Sequence, residues 1–326
     1  MEVKGKGGIS AKIIADSISS VNGKRITTYE LEYPRFIHSE VNTHRMFSRN
    51  AASSRAIPTK KMIEQVEDNP ARPIHWGKNK PGMQAKEELS EPSKHHVQVS
   101  WYMSSQQAAR VAEDMSSEGA HKQIVNRILE PYQFIKVVLT ATEFDNFFWL
   151  RCHSDSQPEI RELADCMYKA RQQSVPQELD PGEWHVPYVD YTKGLGYTIP
   201  VDNDYENGRI DLTEDEALKV SASCCAQVSY RALDNSVEKA CKIYDQLVES
   251  KPVHASPFEH QATPVEEVEY EIDWEQDYTH AIGTPSRGIT HYDREGDAWS
   301  GNFKGWVQHR QLIPDNVCWE YSDTDA

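Results

Sequence analysis

Residues 35–61 read RFIHSEVNTHRMFSRNAASSRAIPTKK, and the rest of the sequence is best understood from this stretch. Glu40 is its only acidic residue, whereas the whole chain carries 35 basic and 51 acidic residues and a formal net charge of −16. Serine and asparagine side chains lie between its arginines. Arginine forks beside hydroxyl and amide donors suit a phosphate group and a flat heteroaromatic ring. On composition alone, a solvated basic helix end is the alternative interpretation.

The overall composition is that of a globular protein. The chain has 326 residues, 38% hydrophobic and 10% aromatic, enough for one large domain or two smaller ones. No apolar run approaches the length of a membrane span, and MEVKGKGGISAK at the start lacks the apolar region of a signal peptide. We therefore expect a cytoplasmic protein with no membrane partner.

Cysteine spacing and net charge narrow the function classes. The six cysteines show neither a CxxC pair nor zinc spacing, which predicts reduced, packed thiols and no metal site. The acidic net charge argues against nucleic-acid binding, which requires a broad basic surface. A small anionic ligand remains compatible, because local arginines can reverse the potential inside a cleft.

The hydrophobic pattern predicts an α+β fold in which helices pack on an antiparallel sheet. ISAKIIADSISS and RITTYELEY alternate as strands, and the Asn-Gly of the intervening VNGK suits a hairpin turn. FIHSEVNTHRMF predicts a helix that ends near Ser48, with residues 50–55 in a loop. VVLTAT at 137–142 is strand-like by composition, although in a helical protein it could equally be a buried helix segment. Helices are expected near 99–117, 143–154 and 157–174.

The second half is predicted to be mainly helical. Thr213 and Glu216 form the pattern of a capping box at the start of a long helix, and another helix is expected at 235–249. PVEEVEYEIDW predicts a strand, 274–302 a loop, and GWVQHRQLI a short closing helix. We predict halves at 1–175 and 213–326, joined by a connector at 176–212 and integrated in one domain.

The string THRMFSRNAASSR, at 43–55, resembles the signature of the flavin-dependent thymidylate synthases, R-H-R-x7-S followed by a further Arg. Positions that match this signature are His44, Arg45, Ser53 and Arg55. Two positions depart from it, since Thr43 stands for the first Arg and Ala51 for the acid before the serine.

Other segments share the resemblance. NRILEP supplies an arginine before a proline, NFFWLR an Asn-Phe pair and an arginine, and QPEI the Gln and Glu-Ile of the next helix. The residues concerned are Arg127, Asn146, Phe147, Arg151, Gln157, Glu159 and Ile160. Thr140 and Thr142 stand where the family has a flavin-contacting Asn and Arg, and Asp155 stands where it has a His.

The order of two further family motifs is changed. AQVSYR and the PFEH of residues 257–260 lie near the C-terminus, whereas the family carries both ahead of its signature. GWVQHRQLI then places a second His-Arg pair, His309 and Arg310, where the signature helix would follow PFEH. The resemblance thus implies circularly permuted or duplicated halves.

The resemblance also implies an activity, which is the reductive methylation of dUMP to dTMP. The family uses 5,10-methylenetetrahydrofolate as carbon donor and reduced FAD, recharged by NADPH, as hydride donor, in a homo-oligomer whose active sites are shared between chains. Arg151 would then stabilise charge on the pyrimidine. The expected nucleotide ligands are Ser53, Ser54, Arg55, Arg127 and Arg151. The expected cofactor ligands are His44, Arg45, Asn146, Thr140, Thr142, His260, His309 and Arg310.

The departures from the signature leave two alternatives open. One is a related flavin- and folate-dependent one-carbon transfer, such as hydroxymethylation, to dUMP or dCMP. The other is a non-catalytic nucleotide-binding relative that has lost its flavin contacts.

Overall fold

A computed structural model of the chain describes residues 1–201, 204–228, 234–266 and 287–320. The strands are β1 (Glu2–Lys4), β2 (Ser10–Ser19), β3 (Arg25–Pro34), β4 (Ser48–Ala51), β5 (Phe134–Ala141), β6 (Gln177–Leu179), β7 (Asp190–Thr192), β8 (Gly196–Val201), β9 (Asp204–Leu212), β10 (Ala262–Pro264), β11 (His291–Tyr292), β12 (Ala298–Ser300), β13 (Phe303–Lys304) and β14 (Trp306–Gln308). The helices are α1 (His38–Asn42), α2 (Thr59–Asp68), α3 (Glu91–Ser117), α4 (Lys122–Val125), α5 (Asp145–Arg151), α6 (Pro158–Gln173), α7 (Glu214–Gln227) and α8 (Val237–Glu249).

The main sheet has the strand order β1-β2-β3-β5-β4 within the described residues, with β6 parallel to β2 and the other neighbours antiparallel. The β2–β3 hairpin turns at VNGK, where Gly23 has a φ of 66°, a left-handed conformation that a glycine adopts without strain. This arrangement confirms the predicted α+β class and the hairpin, and it shows that VVLTAT belongs to a strand, β5, rather than to a buried helix.

The two faces of the main sheet differ in polarity because side chains alternate along each strand. Tyr29, Leu31 and Leu139 belong to a large apolar core that also contains Ile160 and Leu163 of α6. The opposite face carries short polar side chains, among them Thr28 and Thr140, and the C-terminal half covers it. A polar sheet face inside a protein requires hydrogen-bond partners, and the covering segments supply them.

The second half contains a core of its own. Trp184, Tyr197, Val220 and Ala240 are buried together between the β7-β8-β9 sheet and helices α7 and α8. Thr213 and Glu216 form the predicted capping box at the start of α7. Among the helices that the structure describes, none is both long and apolar enough to span a bilayer.

The signature stretch differs from its sequence prediction. The helix ends at Asn42 rather than near Ser48, and residues 48–51 form strand β4, which pairs with β5 from Ser48–Thr140 to Ala51–Val137. Arg49 Nη1 donates to the carbonyls of Val41 (3.1 Å) and His44 (2.9 Å) and so closes the turn before the strand. A partner strand 90 residues away, which local periodicity does not reveal, decides the conformation.

The C-terminal predictions also need correction. GWVQHRQLI is not a helix, because Trp306–Gln308 is strand β14 and a short 3₁₀ turn follows at His309–Leu312. The expected loop at 274–302 contains strands β11 and β12 in its described part. The strand predicted at PVEEVEYEIDW falls largely on residues 267–286, and Ser229 of AQVSYR on 229–233; both ranges lie outside the described residues.

The two halves pack together, as the permutation hypothesis requires. Asn302 Nδ2 donates to the carbonyl of Met46 (2.9 Å), and Trp306 Nε1 donates to that of Lys24 (3.1 Å). Ile26 of β3 shares a small core with Phe303 and Trp306. The permutation and the domain boundaries stay predictions. The predicted connector at 176–212 contributes strand β6 to the main sheet.

Candidate active site

Arg151 lies at the end of α5 and contacts the signature stretch directly. Its Nε donates to His44 Nε2 (2.8 Å), and its Nη2 donates to Thr43 Oγ1 (3.3 Å). The His44 ring packs edge-on against Phe147 at a centroid distance of 4.8 Å. Two segments that are 107 residues apart in sequence thus meet at the predicted catalytic arginine.

His44 is neutral in this arrangement. Burial, followed by the charges of Arg151 and Arg49, lowers its pKa to about 4. Its Nε2 accepts the hydrogen bond from Arg151, so Nδ1 carries the proton. The guanidinium of Arg151 therefore keeps its charge uncompensated by the histidine.

An open cleft of about 1690 Å³ lies beside Arg151. Phe36, Trp101 and Trp149 line it together with Arg151, and the Trp149 side chain is 76% exposed. Charged side chains of both signs also line the cleft, the acids Glu40, Asp155, Glu159, Glu162 and Asp165 and, besides Arg151, the cations Lys6, Lys86, Arg161 and Lys169. The aromatic faces of the cleft suit a flat ring.

Ser54 and Arg127 meet at a different point, on the carboxylate of Glu130. Glu130 Oε1 accepts from Ser54 Oγ (2.6 Å) and from Arg127 Nη1 (3.0 Å). Asn126 Nδ2 holds the backbone of this turn by donating to the carbonyls of Ser54 (2.6 Å) and Ile57 (3.0 Å). The structure therefore brings together two of the predicted nucleotide ligands.

Four other predicted ligands lie at or near the surface. Arg45, Arg55 and Asn146 are exposed, and Ser53 is half-buried at the turn that leads into α2. Their positions leave them accessible to a ligand.

Thr140 and His260 lie inside the protein and bond to each other. Thr140 Oγ1 is 2.8 Å from His260 Nδ1 and 2.7 Å from Thr28 Oγ1, and both residues are fully buried. Thr142 is 7% exposed, and its Oγ1 accepts from the backbone N–H of Lys304 (3.0 Å). As placed, these side chains offer no surface to a flavin, so we interpret them as structural.

The Thr140–His260 pair belongs to a longer buried chain of side chains. His185 Nδ1 lies 2.9 Å from Ser17 Oγ and its Nε2 lies 2.8 Å from Thr28 Oγ1, while His260 Nε2 lies 3.4 Å from Asn50 Oδ1. We call Ser17, His185, Thr28, Thr140, His260 and Asn50 the buried polar chain. It crosses β2, β3, β5 and β4 and ends within the signature stretch.

Both histidines of the buried polar chain are neutral. Burial lowers the pKa of His185 to about 3, and burial followed by the nearby His185 lowers that of His260 to about 3. An unfolded histidine has a pKa of about 6.5. Folding therefore releases protons below pH 6.5, so the folded state becomes less stable as the pH decreases below that value.

Acid should destabilise the protein through these two histidines. Their contribution is fully present above about pH 6.5 and falls by up to about 1.4 kcal/mol per pH unit per histidine as the pH approaches 3. Urea unfolding of the wild type and of His260→Gln at pH 7.5, 6.5 and 5.5 measures this slope. The variant should show a shallower loss, whereas His95→Gln, on the exposed surface of α3, should keep the wild-type slope. Equal slopes for all three proteins would contradict the account.

His309 and Arg310 are placed away from the Arg151 contacts. The His309 ring is 6% exposed among Trp184, Tyr244 and Phe258, and burial lowers its pKa to about 4. Arg310 pairs with Glu259 and donates to the carbonyl of Asn316 (3.0 Å). The structure does not bring these two residues to Thr43, whose role they were predicted to replace.

Four residues that organise the site had no role predicted from the sequence. Arg35 and Arg49 belong to the basic stretch 35–61 but were assigned no function, and Glu130 and His185 were not singled out. Each of the four binds a residue or carbonyl of the signature stretch or of the buried polar chain. The sequence signals were the basic stretch itself for the two arginines and, for Glu130, its position three residues after Arg127 in NRILEP. In the described part of the chain, no group of His, Cys, Asp or Glu side chains is arranged to hold a metal ion.

The comparisons with known proteins give one family match. The sequence profile of a family described as thymidylate synthase complementing protein matches residues 5–177 of the 326. No protein among the curated sequences matches the chain.

Two solved structures are similar over part of the chain. A UMP/dUMP methylase, PolB from Streptomyces cacaoi bound with 5-Br UMP, has 17% identity and a TM-score of 0.42, over 52% of this chain and 90% of that one. The same methylase bound with 5-Br dUMP has 16% identity and a TM-score of 0.42, over 52% and 93%.

Proposed function

The chain belongs to the thymidylate synthase complementing protein family, the flavin-dependent thymidylate synthases, and on this premise we propose that it methylates dUMP to dTMP. The carbon would come from 5,10-methylenetetrahydrofolate, and NADPH would supply the electrons through FAD. The observation that carries the proposal is the contact of Arg151 with His44 and Thr43, because it unites the signature with the predicted catalytic arginine.

Arg151 would act on the pyrimidine. Transfer of the one-carbon group requires C5 to act as a nucleophile, and negative charge then develops on the N3–C2–O2 edge of the ring. A fixed guanidinium beside this edge stabilises the charge as it develops, without reorganisation of solvent. The neutral His44 supports this role because it holds the Arg151 fork without cancelling its charge.

The phosphate and sugar would lie along the other end of the signature. Ser53, Ser54, Arg55 and Arg127 supply hydroxyl and guanidinium donors on one turn and its neighbour. Each charge-assisted hydrogen bond would contribute about 1.5–3 kcal/mol. The aromatic cleft beside Arg151 offers the flat surface that a ring system needs.

A reaction without a cysteine nucleophile agrees with the state of the thiols. Burial raises the pKa of Cys152 and of Cys166 to about 11, that of Cys224 to about 12, and that of Cys225 well above its usual value. A thiol with so high a pKa is protonated at neutral pH, and only the thiolate attacks carbon readily. Conversion of the transferred methylene to a methyl group is a two-electron reduction and requires a hydride donor as well.

The flavin would supply that hydride when bound. Among the predicted cofactor ligands, His44, Arg45 and Asn146 fit this group, since they present an aromatic edge, a guanidinium and an amide at or near the surface. His44 would orient the ring system, and Arg45 would bind an anionic part of the cofactor. We also propose a homo-oligomer, in which a second chain would complete the flavin site.

A non-catalytic nucleotide-binding protein is the second candidate function. The observation in its favour is the burial of Thr140, Thr142 and His260, which removes three expected flavin contacts from the surface. Such a protein would bind dUMP through Ser53, Arg55 and Arg127 but would neither bind FAD nor turn over. The related one-carbon transfers differ from the first candidate in the group transferred to dUMP or in the use of dCMP as substrate.

Flavin binding and label release distinguish these candidates. The purified protein should show flavin absorbance and should release tritium from C5-tritiated dUMP when folate and NADPH are added. Omission of the folate, which leaves the protein and its flavin unchanged, should stop the release. A colourless protein that neither binds added FAD nor releases tritium would refute the enzymatic proposal and favour the second candidate.

A further inference from the structure

Three donors from different segments converge on one carboxylate oxygen, Oε1 of Glu130. Ser54 Oγ donates to it at 2.6 Å, Arg127 Nη1 donates at 3.0 Å, and Arg35 Nη2 forms an ion pair with it at 3.2 Å. A hydroxyl and two guanidinium groups directed at one negatively charged oxygen are the arrangement that also binds a phosphate oxygen.

Positive charge exceeds negative charge around this oxygen. Arg35 and Arg127 both pair with it, and Glu130 is the one carboxylate that opposes these two charges. Burial and then the charges of Arg35 and Arg49 lower the pKa of His38 to about 4, so this histidine adds no charge at neutral pH. Concentrated positive charge in a chain of net charge −16 attracts a further anion to this point.

Two of the three donors are held by the backbone around them, whereas the carboxylate is partly open to solvent. Arg35 Nη1 donates to the carbonyl of Ala52 (3.3 Å), and Asn126 Nδ2 donates to that of Ser54 (2.6 Å). Ser54 is 2% exposed, but the Glu130 side chain is 24% exposed and that of Arg127 is 55% exposed. The carboxylate can therefore turn outward while the Ser54 hydroxyl and the Arg35 guanidinium keep their places.

We propose that the carboxylate of Glu130 occupies the position that the ligand's phosphate takes, and that a phosphate monoester displaces it. The proposal rests on the proposed function for the identity of the ligand. Without a ligand, Glu130 pairs with these donors, and an anion that binds them more weakly than Glu130 does is excluded. A dianionic phosphate with three acceptor oxygens outcompetes one carboxylate, whereas a nucleoside without phosphate does not. Glu130 is thus a specificity-determining residue for the monophosphate.

The variant Glu130→Gln tests the displacement. Glutamine keeps the shape of the side chain but carries no charge, so it neither competes for the arginines nor repels the phosphate. Calorimetric titration of the full-length protein with dUMP should give a Kd at least about tenfold lower than that of the wild type. Inorganic phosphate, titrated separately, should shift in the same direction.

Two further variants serve as controls. Glu113→Gln removes a carboxylate from the exposed surface of α3 and should leave both Kd values unchanged. Glu130→Asp retains the charge and should not tighten binding. Thermal unfolding of each variant shows that the fold is intact.

The outcomes separate this proposal from the proposed function. If dUMP binds the wild type and binds Glu130→Gln equally or more weakly, the displacement is refuted while nucleotide binding stands. If phosphate binds Glu130→Gln more tightly but dUMP binds neither protein, the anion site stands and the nucleotide function fails. If neither ligand binds either protein, both proposals are overturned.

Discussion

Replacement of Arg151 by alanine should lower turnover about a hundredfold to a thousandfold, the usual cost of removing one preorganised donor at developing charge. The reason is that Arg151 both lines the cleft and donates hydrogen bonds to Thr43 and His44 in the signature stretch. The loss should appear mainly in kcat, because the charge on the pyrimidine edge is larger in the transition state than in the bound substrate. Steady-state kinetics with dUMP measures it.

Two further variants show whether the loss of turnover is specific to the guanidinium of Arg151. Arg110→Ala removes an exposed arginine from α3 and should leave kcat unchanged. Arg151→Lys keeps the charge but not the planar fork, so it should restore only part of the rate. Near-wild-type kcat in Arg151→Ala, with wild-type flavin content and thermal stability, would refute the catalytic assignment.

Replacement of Thr140 by valine should cost the fold about 1–3 kcal/mol, since loss of its hydroxyl leaves the buried His260 Nδ1 without a partner and removes one of the two partners of Thr28 Oγ1. Thr140 Oγ1 bonds to both Thr28 Oγ1 and His260 Nδ1, with no solvent access that would let water replace it. Valine has nearly the same shape, so the effect isolates the hydrogen bonds. Urea unfolding at pH 7.5, where both histidines are neutral in the folded and unfolded chain, gives the free energy directly.

The matched change is Thr192→Val, on the exposed strand β7, which should alter stability by less than about 0.5 kcal/mol. A Thr140→Val protein as stable as the wild type would show that the buried polar chain contributes little. It would also remove the reason for treating His260 as a structural residue.

The sequence correctly predicted those elements whose conformation depends on a few neighbouring residues. Two examples could be predicted because a few adjacent residues determine each of them: the Asn-Gly turn between β2 and β3, and the Thr213–Glu216 capping box. The resemblance singled out both His44 and Arg151, but their contact was found only in the structure, since nothing in the spacing of the two residues indicates it.

Features that depend on contacts between residues far apart in the sequence could not be predicted. Strand β4 exists because β5 supplies its hydrogen bonds, so the helical spacing around Met46 and Phe47 was misleading there. His185 and His260 come from segments 75 residues apart and meet only through threonines on two other strands. A threonine or a histidine alone in a sequence does not reveal such a chain.

The predicted role of Thr140 changed for the same reason. Its position in the family pattern predicted a flavin contact, but strand alternation directs it to the face that His260 covers. Glu130 shows the opposite case, because a glutamate three residues after Arg127 resembles an ordinary surface pair. Only the fold shows that Ser54 and Arg35 share it.

The most direct test of the central claim is the mass of the nucleotide product. The protein, supplied with FAD, NADPH and 5,10-methylenetetrahydrofolate labelled in its one-carbon group, is incubated separately with dUMP and with dCMP. We predict labelled dTMP from dUMP, and none when NADPH is omitted. Unchanged dUMP and dCMP under these conditions, from folded protein that binds both FAD and dUMP, would contradict the claim that this chain is a thymidylate synthase.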